Sequence, residues 1–410
     1  MFVKVHHEFK QLPTETHSSR VMLHMEAPSI LDKPLPPKNF IFVIDTSSSM
    51  AGEKMNQCKN IMTKGMRLFR NCDKIALVSY SDEAIVRCDW ITCDDNGKKK
   101  LNNHFNALHA MGCTNISGAL FKALAMAMKQ TDVTIVFLTD GLANRGIKDE
   151  NELEMMAKKI ISDDMNVRIH TVGVGEDHSE DMLQQICLGG TYTYVDTPEA
   201  TTSAFGSILG NAYSTVYQNL TVKITGQNVN FLDGFGQPLT EYNIGDLYAE
   251  EKRDLLATAS FAKNGPYKVT WSLNGVNIVD KTMLDKTFTL DIERGDDNEK
   301  DKDIERRLKV ISATNAMEKS VKEMEKGNIE AAKTHLRSIS TDDPILARAM
   351  NVAEQSMEEV ISHTRGVKHG VNRVKSLQRD LFTQRGTSDC VSVPWSKKIK
   401  RGLEEDVFTV

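Results

Sequence analysis

Five short apolar runs constrain this chain more than any other feature: "FIFVI" (40–44), "KIALVSY" (74–80), "TIVFLT" (134–139), "VRIHTVGVG" (167–175) and "TYTYV" (191–195). Between them the apolar residues return at helical spacing. From Lys54 to Phe69 they fall at Met55, Cys58, Ile61, Met62, Met66 and Phe69, and Ser117–Met128, Glu150–Ile161, Met182–Cys187 and Thr197–Leu209 read the same way. A strand that is apolar along its whole length must be covered on both faces, and intervening helices supply that cover. The pattern predicts an α/β unit over 39–214, a doubly wound, mostly parallel sheet. "KIALVSYSDEAIVRCDW" differs, reading as two strands about a polar turn at Asp82, which suits an antiparallel edge.

On either side of this unit the period changes. Over 215–294 apolar and polar residues alternate in "LTVKI", "LYAEEKRDLLATASF", "YKVTWSL" and "KTFTLDI", with turns at Gly-Gln, Asp-Gly-Phe-Gly, Asn-Gly-Pro and Asn-Gly-Val. Residues 1–38 show the same alternation in "FVKVHHEF" and "RVMLHM", then a proline-rich "DKPLPPKN". Alternation means strands with one wet face, so the expectation is a single antiparallel β-sandwich split across 1–38 and 215–294, with the α/β unit inserted. After a charged hinge, "DDNEKDKD", residues 295–385 read as helices. "EKGN" (325–328) separates the first two, a third follows Pro344, and a fourth carries a 4-3-3-4 seam at Val367, Val371, Val374, Leu377 and Leu381. That seam packs within the chain or offers a surface for self-association. The tail, 386–410, lacks a period.

The bulk properties exclude more than they assign. A net charge of -5 on 410 residues gives no general pull toward nucleic acid. The seven cysteines are odd in number and scattered, without zinc-knuckle spacing, so free thiols in a reducing, cytoplasmic or other intracellular compartment are expected. No stretch approaches the about 20 apolar residues of a spanning helix. "DDNEKDKDIE" (296–305) lacks the glycine of a calcium loop, and the histidines at 6, 7, 104 and 109 suit no zinc pattern.

The first strand runs into "DTSSSM" (45–50), where hydroxyls crowd behind a carboxylate. A serine nucleophile wants a glycine-flanked elbow and a P-loop wants G-x-x-x-x-G-K-[ST], and neither is present. An aspartate nucleophile of the haloacid-dehalogenase type wants a second Asp two positions on, where Ser47 stands. A metal fits better. Asp45, Ser47 and Ser49 form D-x-S-x-S at a strand's carboxyl end, where open α/β sheets gather ligands. Thr114, in "MGCTNISGAL", and Asp140, closing "TIVFLTD", offer further oxygens in comparable places. Neutral hydroxyls with carboxylates are hard ligands, suited to Mg²⁺ or Mn²⁺.

These three motifs, D-x-S-x-S at 45–49, G-x-T-N-I at 112–116 and T-D-G at 139–141, resemble the metal-ion-dependent adhesion site of von Willebrand factor A domains, in that family's order. The resemblance covers 39–214 and implies a Rossmann-like sheet with one metal at its top edge. It assigns Ser47, Ser49 and Thr114 as hydroxyl ligands, with Asp45 and Asp140 binding directly or through water. Ser48 and Cys113 stand where the family favours glycine. The split sandwich and helical end also resemble intracellular proteins of the superfamily. The implied function is metal-dependent protein binding by a scaffold module, in which a partner's Asp or Glu caps the metal. Specificity then rests on loops near 80–85, 111–116, 141–150 and 175–180. Two alternatives are a fixed joint in a larger assembly and, less favoured, a metal-dependent hydrolase using a base such as Glu53, Asp82 or His178.

Overall fold

A computed structural model describes residues 1–30, 35–161, 166–175, 178–195, 197–232, 238–339, 341, 343–361, 370, 371, 374, 375 and 377. They fall into two compact units, one spanning 35–213 and the other joining residues 1–30 to the described residues between 214 and 377. The chain opens with β1 (Phe2–His7) and β2 (Ser18–Glu26), an antiparallel pair with Val5 opposite Leu23.

Next comes the α/β unit. Its elements are β3 (Asn39–Asp45), α1 (Glu53–Gly65), β4 (Lys74–Tyr80), β5 (Ala84–Thr92), α2 (Asp95–Asn106), α3 (Ile116–Ala127), β6 (Val133–Thr139), α4 (Glu150–Ile160), β7 (Val167–Val174), α5 (Glu180–Gln185), β8 (Gly189–Val195) and α6 (Pro198–Ser214). The sheet order is β5-β4-β3-β6-β7-β8, parallel throughout except for the antiparallel edge β4/β5. Every residue of β3 and β6 is buried. The alternation of side chains across a strand divides them between two cores. Phe40, Phe42 and Ile44 pack with Met55, Cys58, Met62, Phe205 and Leu209, while Ile41 and Val43 pack with Ala119, Leu120 and Ala123. From β3 the chain runs outward to β4 and β5, then crosses to β6 on the other side. The carboxyl ends of β3 and β6 therefore flank the point where strand order reverses, the position at which such sheets bind ligands.

The opposite, amino ends are held by a buried carboxylate. Asp73, just before β4, accepts from the Lys38 amide at 2.9 Å, the Arg70 amide at 2.8 Å, two Arg70 guanidinium nitrogens at 2.7 and 3.2 Å, and the Tyr213 hydroxyl at 2.6 Å. Arg70 also donates to the carbonyls of Leu35 and Pro36, and its guanidinium lies 4.9 Å over the Tyr213 ring.

Helix α2 is an element that apolar periodicity does not announce. Only Gly97, Leu101 and Phe105 of it are buried, and its start is fixed by Asp94, whose carboxylate accepts from the Gly97 amide. Helices α3 and α4 begin as their caps dictate: Asn115 accepts from the Gly118 amide, and Asp149 from that of Glu152.

The second unit continues with β9 (Thr215–Gln227), β10 (Val229–Leu232), β11 (Glu241–Tyr248), β12 (Lys252–Phe261), β13 (Tyr267–Asn277) and β14 (Thr282–Ile292). With β1 and β2 these make two antiparallel sheets, β1-β2-β12-β10 and β11-β9-β13-β14. The sheets face one another. The Phe261 and Tyr267 rings meet at 5.3 Å, and the Tyr242 hydroxyl donates to the Leu256 carbonyl at 2.7 Å. The stretch "LYAEEKRDLLATASF" is divided between β11 and β12 by a turn in which Glu250 adopts a φ of 62°. The Asp-Gly-Phe-Gly turn lies outside the described residues. The charged hinge is partly tied down, because Lys10 and Gln11 donate their amides to the carbonyls of Glu299 and Asp297. Its side chains stay wet while its backbone groups are satisfied.

Helices α7 (Lys302–Glu325), α8 (Ile329–Arg337) and α9 (Pro344–Ile361) complete the unit, with Gly327 at the predicted break. Met317, Met324, Leu336, Ala353 and Met357 form their core, joined by Val371, Val374 and Leu377. That part of the seam is used within the chain. Val367, Leu381 and the 386–410 tail lie outside the described residues. No described helix is long and apolar enough to cross a membrane.

Candidate metal centre

Asp45 ends β3 with no exposed surface, and both of its oxygens are engaged. One accepts from the Ser47 amide at 2.7 Å, the other from the Thr139 hydroxyl at 2.5 Å and the Tyr80 hydroxyl at 3.2 Å. Burial pushes the Asp45 carboxyl above its ordinary range, with the Thr139 and Ser47 hydrogen bonds pulling the other way. Burial likewise raises the Tyr80 hydroxyl well above its usual value, and the neighbouring Asp45 charge adds to it. Tyr80 therefore remains a donor.

The Asp45–Ser47 turn places the next two hydroxyls toward β6. Ser47 Oγ lies 3.0 Å from Ser49 Oγ, and Ser49 Oγ donates to Asp140 Oδ1 at 2.7 Å. Asp140 follows β6 directly and is fully buried. Thr114 enters from the loop before α3. A β-carbon built on Gly141 would lie 3.5 Å from both Ser49 Oγ and Thr114 Oγ1, so Gly141 runs between two facing hydroxyls.

The loops that hold these groups are tied to one another. The amide and hydroxyl of Ser48 both donate to the Gly112 carbonyl at 3.1 Å, and the Met111 amide donates to the Thr46 carbonyl. Ser48, standing in place of a glycine, thus adds a link between the first two motifs. Asn144 Oδ1 accepts from the Thr114 amide at 2.7 Å, which joins the third loop. Gly112 adopts a φ of 82°, where a side chain would be strained, and a β-carbon there would meet Asp82 at 2.5 Å.

All five residues expected from the sequence, Asp45, Ser47, Ser49, Thr114 and Asp140, therefore stand at the carboxyl ends of β3 and β6 or on the loop beside them. The donor set of three hydroxyls and two carboxylates fits a hard cation such as Mg²⁺ or Mn²⁺. The sequence reading missed Lys54. Its ammonium lies 2.5 Å from Asp140 Oδ2. The signal was its place in the first turn of α1, where the helix dipole disfavours a cation that has no anion to meet.

The family model for the von Willebrand factor type A domain matches residues 39–207. The chain carries a von Willebrand factor type A domain. Among curated relatives it is 28% identical over 226 residues to the uncharacterized protein YfbK of Escherichia coli, covering 53% of this chain and 39% of that one. It is 29% identical over 161 residues to inter-alpha-trypsin inhibitor heavy chain H4 of Sus scrofa, covering 37% of this chain and 17% of the relative. The chain thus spans well under half the length of these relatives. Among solved structures, a von Willebrand factor type A protein from Catenulispora acidiphila aligns with a TM-score of 0.67 at 14% identity, covering 87% of this chain and 89% of that one. The ArnB paralog VWA2 of Sulfolobus acidocaldarius aligns with a TM-score of 0.59 at 15% identity, covering 92% and 97%. At such identities the likeness is one of fold, and it extends beyond the A domain to the antiparallel sheets and helices.

Elsewhere, His6, Asp301 and Asp303 gather on the second unit. His6 Nδ1 lies 2.8 Å from Asp301 Oδ2, while Asp301 Oδ1 accepts from two amides at the start of α7. Burial opposes ionisation of Asp301, but His6 and those amides hold its carboxyl below the usual range. A hydrogen bond to His6 and a helix cap account for this cluster.

Proposed function

We propose that this chain is a divalent-metal-dependent protein-binding module, whose A domain engages an acidic side chain of a partner protein. Domains of this family typically mediate metal-dependent protein–protein interaction. The observation that carries the reading is the convergence of the Ser47, Ser49 and Thr114 hydroxyls with the Asp140 carboxylate around Gly141. Those hydroxyls would hold Mg²⁺ or Mn²⁺, with Asp140 and Asp45 bound directly or through water. Bound there, the ion supplies positive charge that few direct anions neutralise, and a partner's Asp or Glu is attracted to it. Asp45, fixed by three donors of its own, keeps the 46–50 turn in shape. One carboxylate contact confers little specificity, so the neighbouring loops must supply it. Met111 and Leu142 expose large apolar side chains there, at 68% and 55% of their surface.

Binding is favoured over hydrolysis by what two candidate bases are doing. Asp82 pairs with Arg145 at 3.1 Å, and His178 is fully buried with Nε2 2.7 Å from the Tyr192 hydroxyl. An intracellular setting is supported by the free thiols of Cys58, Cys72, Cys88, Cys93 and Cys113.

Calorimetry of the full chain with Mg²⁺ and Mn²⁺ tests the reading. Saturable binding is expected in the wild type and its loss in Ser47→Ala with Asp140→Ala. Wild-type protein that takes up neither ion at millimolar concentration would refute it.

A further inference from the structure

The anion at the heart of this site already has a cation of its own. Asp140 is wholly buried, with Oδ1 taken by the Ser49 hydroxyl at 2.7 Å and Oδ2 by the Lys54 ammonium at 2.5 Å. A buried carboxylate is costly without a compensating charge, and Lys54 supplies one. Lys54 arrives from an unfavourable place, the second residue of α1, where the positive end of the helix repels it. Its presence there makes physical sense only because Asp140 lies opposite.

The lysine is also built to leave. Its side chain is 36% exposed, on a flexible four-carbon stem.

We propose that Lys54 is a tethered cation that competes with the divalent metal for Asp140, so that metal binding and departure of the lysine from Asp140 are one event. The inference rests on the metal-binding reading above. Both cations draw on the same carboxylate, and a divalent ion beside an ammonium at contact distance would be strongly repelled. Uptake of the metal therefore sends the ammonium outward, and its removal brings the ammonium back. Three consequences follow. Metal affinity is lower than the donor set alone would give. Asp140 stays compensated when metal is scarce, so the site keeps its shape. The displaced lysine adds a second positive group to the face that meets an acidic partner.

The test is calorimetry with Mn²⁺ and Mg²⁺ on the full chain, comparing wild type, Lys54→Met and Lys54→Arg. Removal of the competitor should tighten metal binding about tenfold in Lys54→Met, equivalent to about 1.4 kcal/mol. Lys54→Arg, still cationic, should bind close to wild type. In chelator, Lys54→Met should melt below wild type and recover in excess Mn²⁺. Unchanged or weaker binding by Lys54→Met, beside a wild type that binds, would overturn the proposal alone. If both proteins fail to bind, the metal reading falls with it. A second readout follows the wild-type protein itself. After reductive ¹³C-methylation of wild-type lysines, saturating Mg²⁺ should move the Lys54 resonance, assigned from Lys54→Arg, toward those of exposed lysines. A resonance that stays in place would refute the displacement.

Discussion

Truncation of Asp73 to alanine should loosen the α/β unit more than any single change at its surface. The carboxylate has no exposure and accepts five hydrogen bonds from nitrogen and oxygen donors, namely the Lys38 amide, three nitrogens of Arg70 and the Tyr213 hydroxyl, beside a long contact from the Cys72 thiol. Hydrogen bonds to a charged group contribute roughly 1.5–3 kcal/mol each. Their sum overstates the net, because desolvation of the carboxylate offsets much of it. The removal of one partner from a buried ion pair costs about 3–5 kcal/mol, and that is the expected range here. Amide hydrogen exchange of β3 and β4 in the full chain reads this local stability directly. Exchange under conditions where opening is at equilibrium should accelerate by about two to three and a half powers of ten. Tyr213→Phe removes one of the five bonds and should accelerate it about three- to tenfold, at about 1 kcal/mol. Less than tenfold acceleration in Asp73→Ala would refute the view that this carboxylate is a hub.

Two further outcomes are expected. His24 Nδ1 lies 2.6 Å from Asp254 Oδ1, and that hydrogen bond raises the imidazole above its ordinary value against the opposing effect of burial. A raised folded-state value means the pair's contribution is complete below pH of about 6.5 and disappears as pH climbs through the folded value. Unfolding free energies from urea titration should accordingly fall between pH 6 and 8 by up to about 1 kcal/mol more in wild type than in His24→Gln, and parallel pH dependences would contradict this. Gly173→Ala would place a β-carbon 2.2 Å from the buried His178 Nε2 and should cost about 1–3 kcal/mol by overpacking. A melting temperature equal to wild type would show that the ring can retreat.

What the sequence disclosed follows the physics of each element. β3 and β6 were legible because both faces of each are buried, which demands uninterrupted apolar residues. α2 was not, since "DNGKKKLNNHFN" buries three residues and its cap at Asp94 was the remaining sign. The β11–β12 boundary was hidden because its turn, Ala249–Glu251, has neither glycine nor proline, and Glu250 takes up the positive φ itself. At the site, the five oxygen donors could be named because strand ends and motif order placed them. Lys54 was overlooked because it sits on a helix rather than in a motif, and its partner is 86 positions away. His6 and Asp301, separated by 295 positions, were beyond any local pattern.

The Arg70–Asp73–Tyr213 cluster has a mechanical side. Arg70 grips the carbonyls of Leu35 and Pro36 where the chain enters the α/β unit, and Tyr213, where it leaves, is bound to the same cluster. Tension applied along the backbone to this unit would load those bonds first, before any strand is sheared. The carboxyl ends of β3 and β6 lie a strand's length away, about 20 Å. The candidate site at those ends would keep its geometry while the fastening at the far end carried the force.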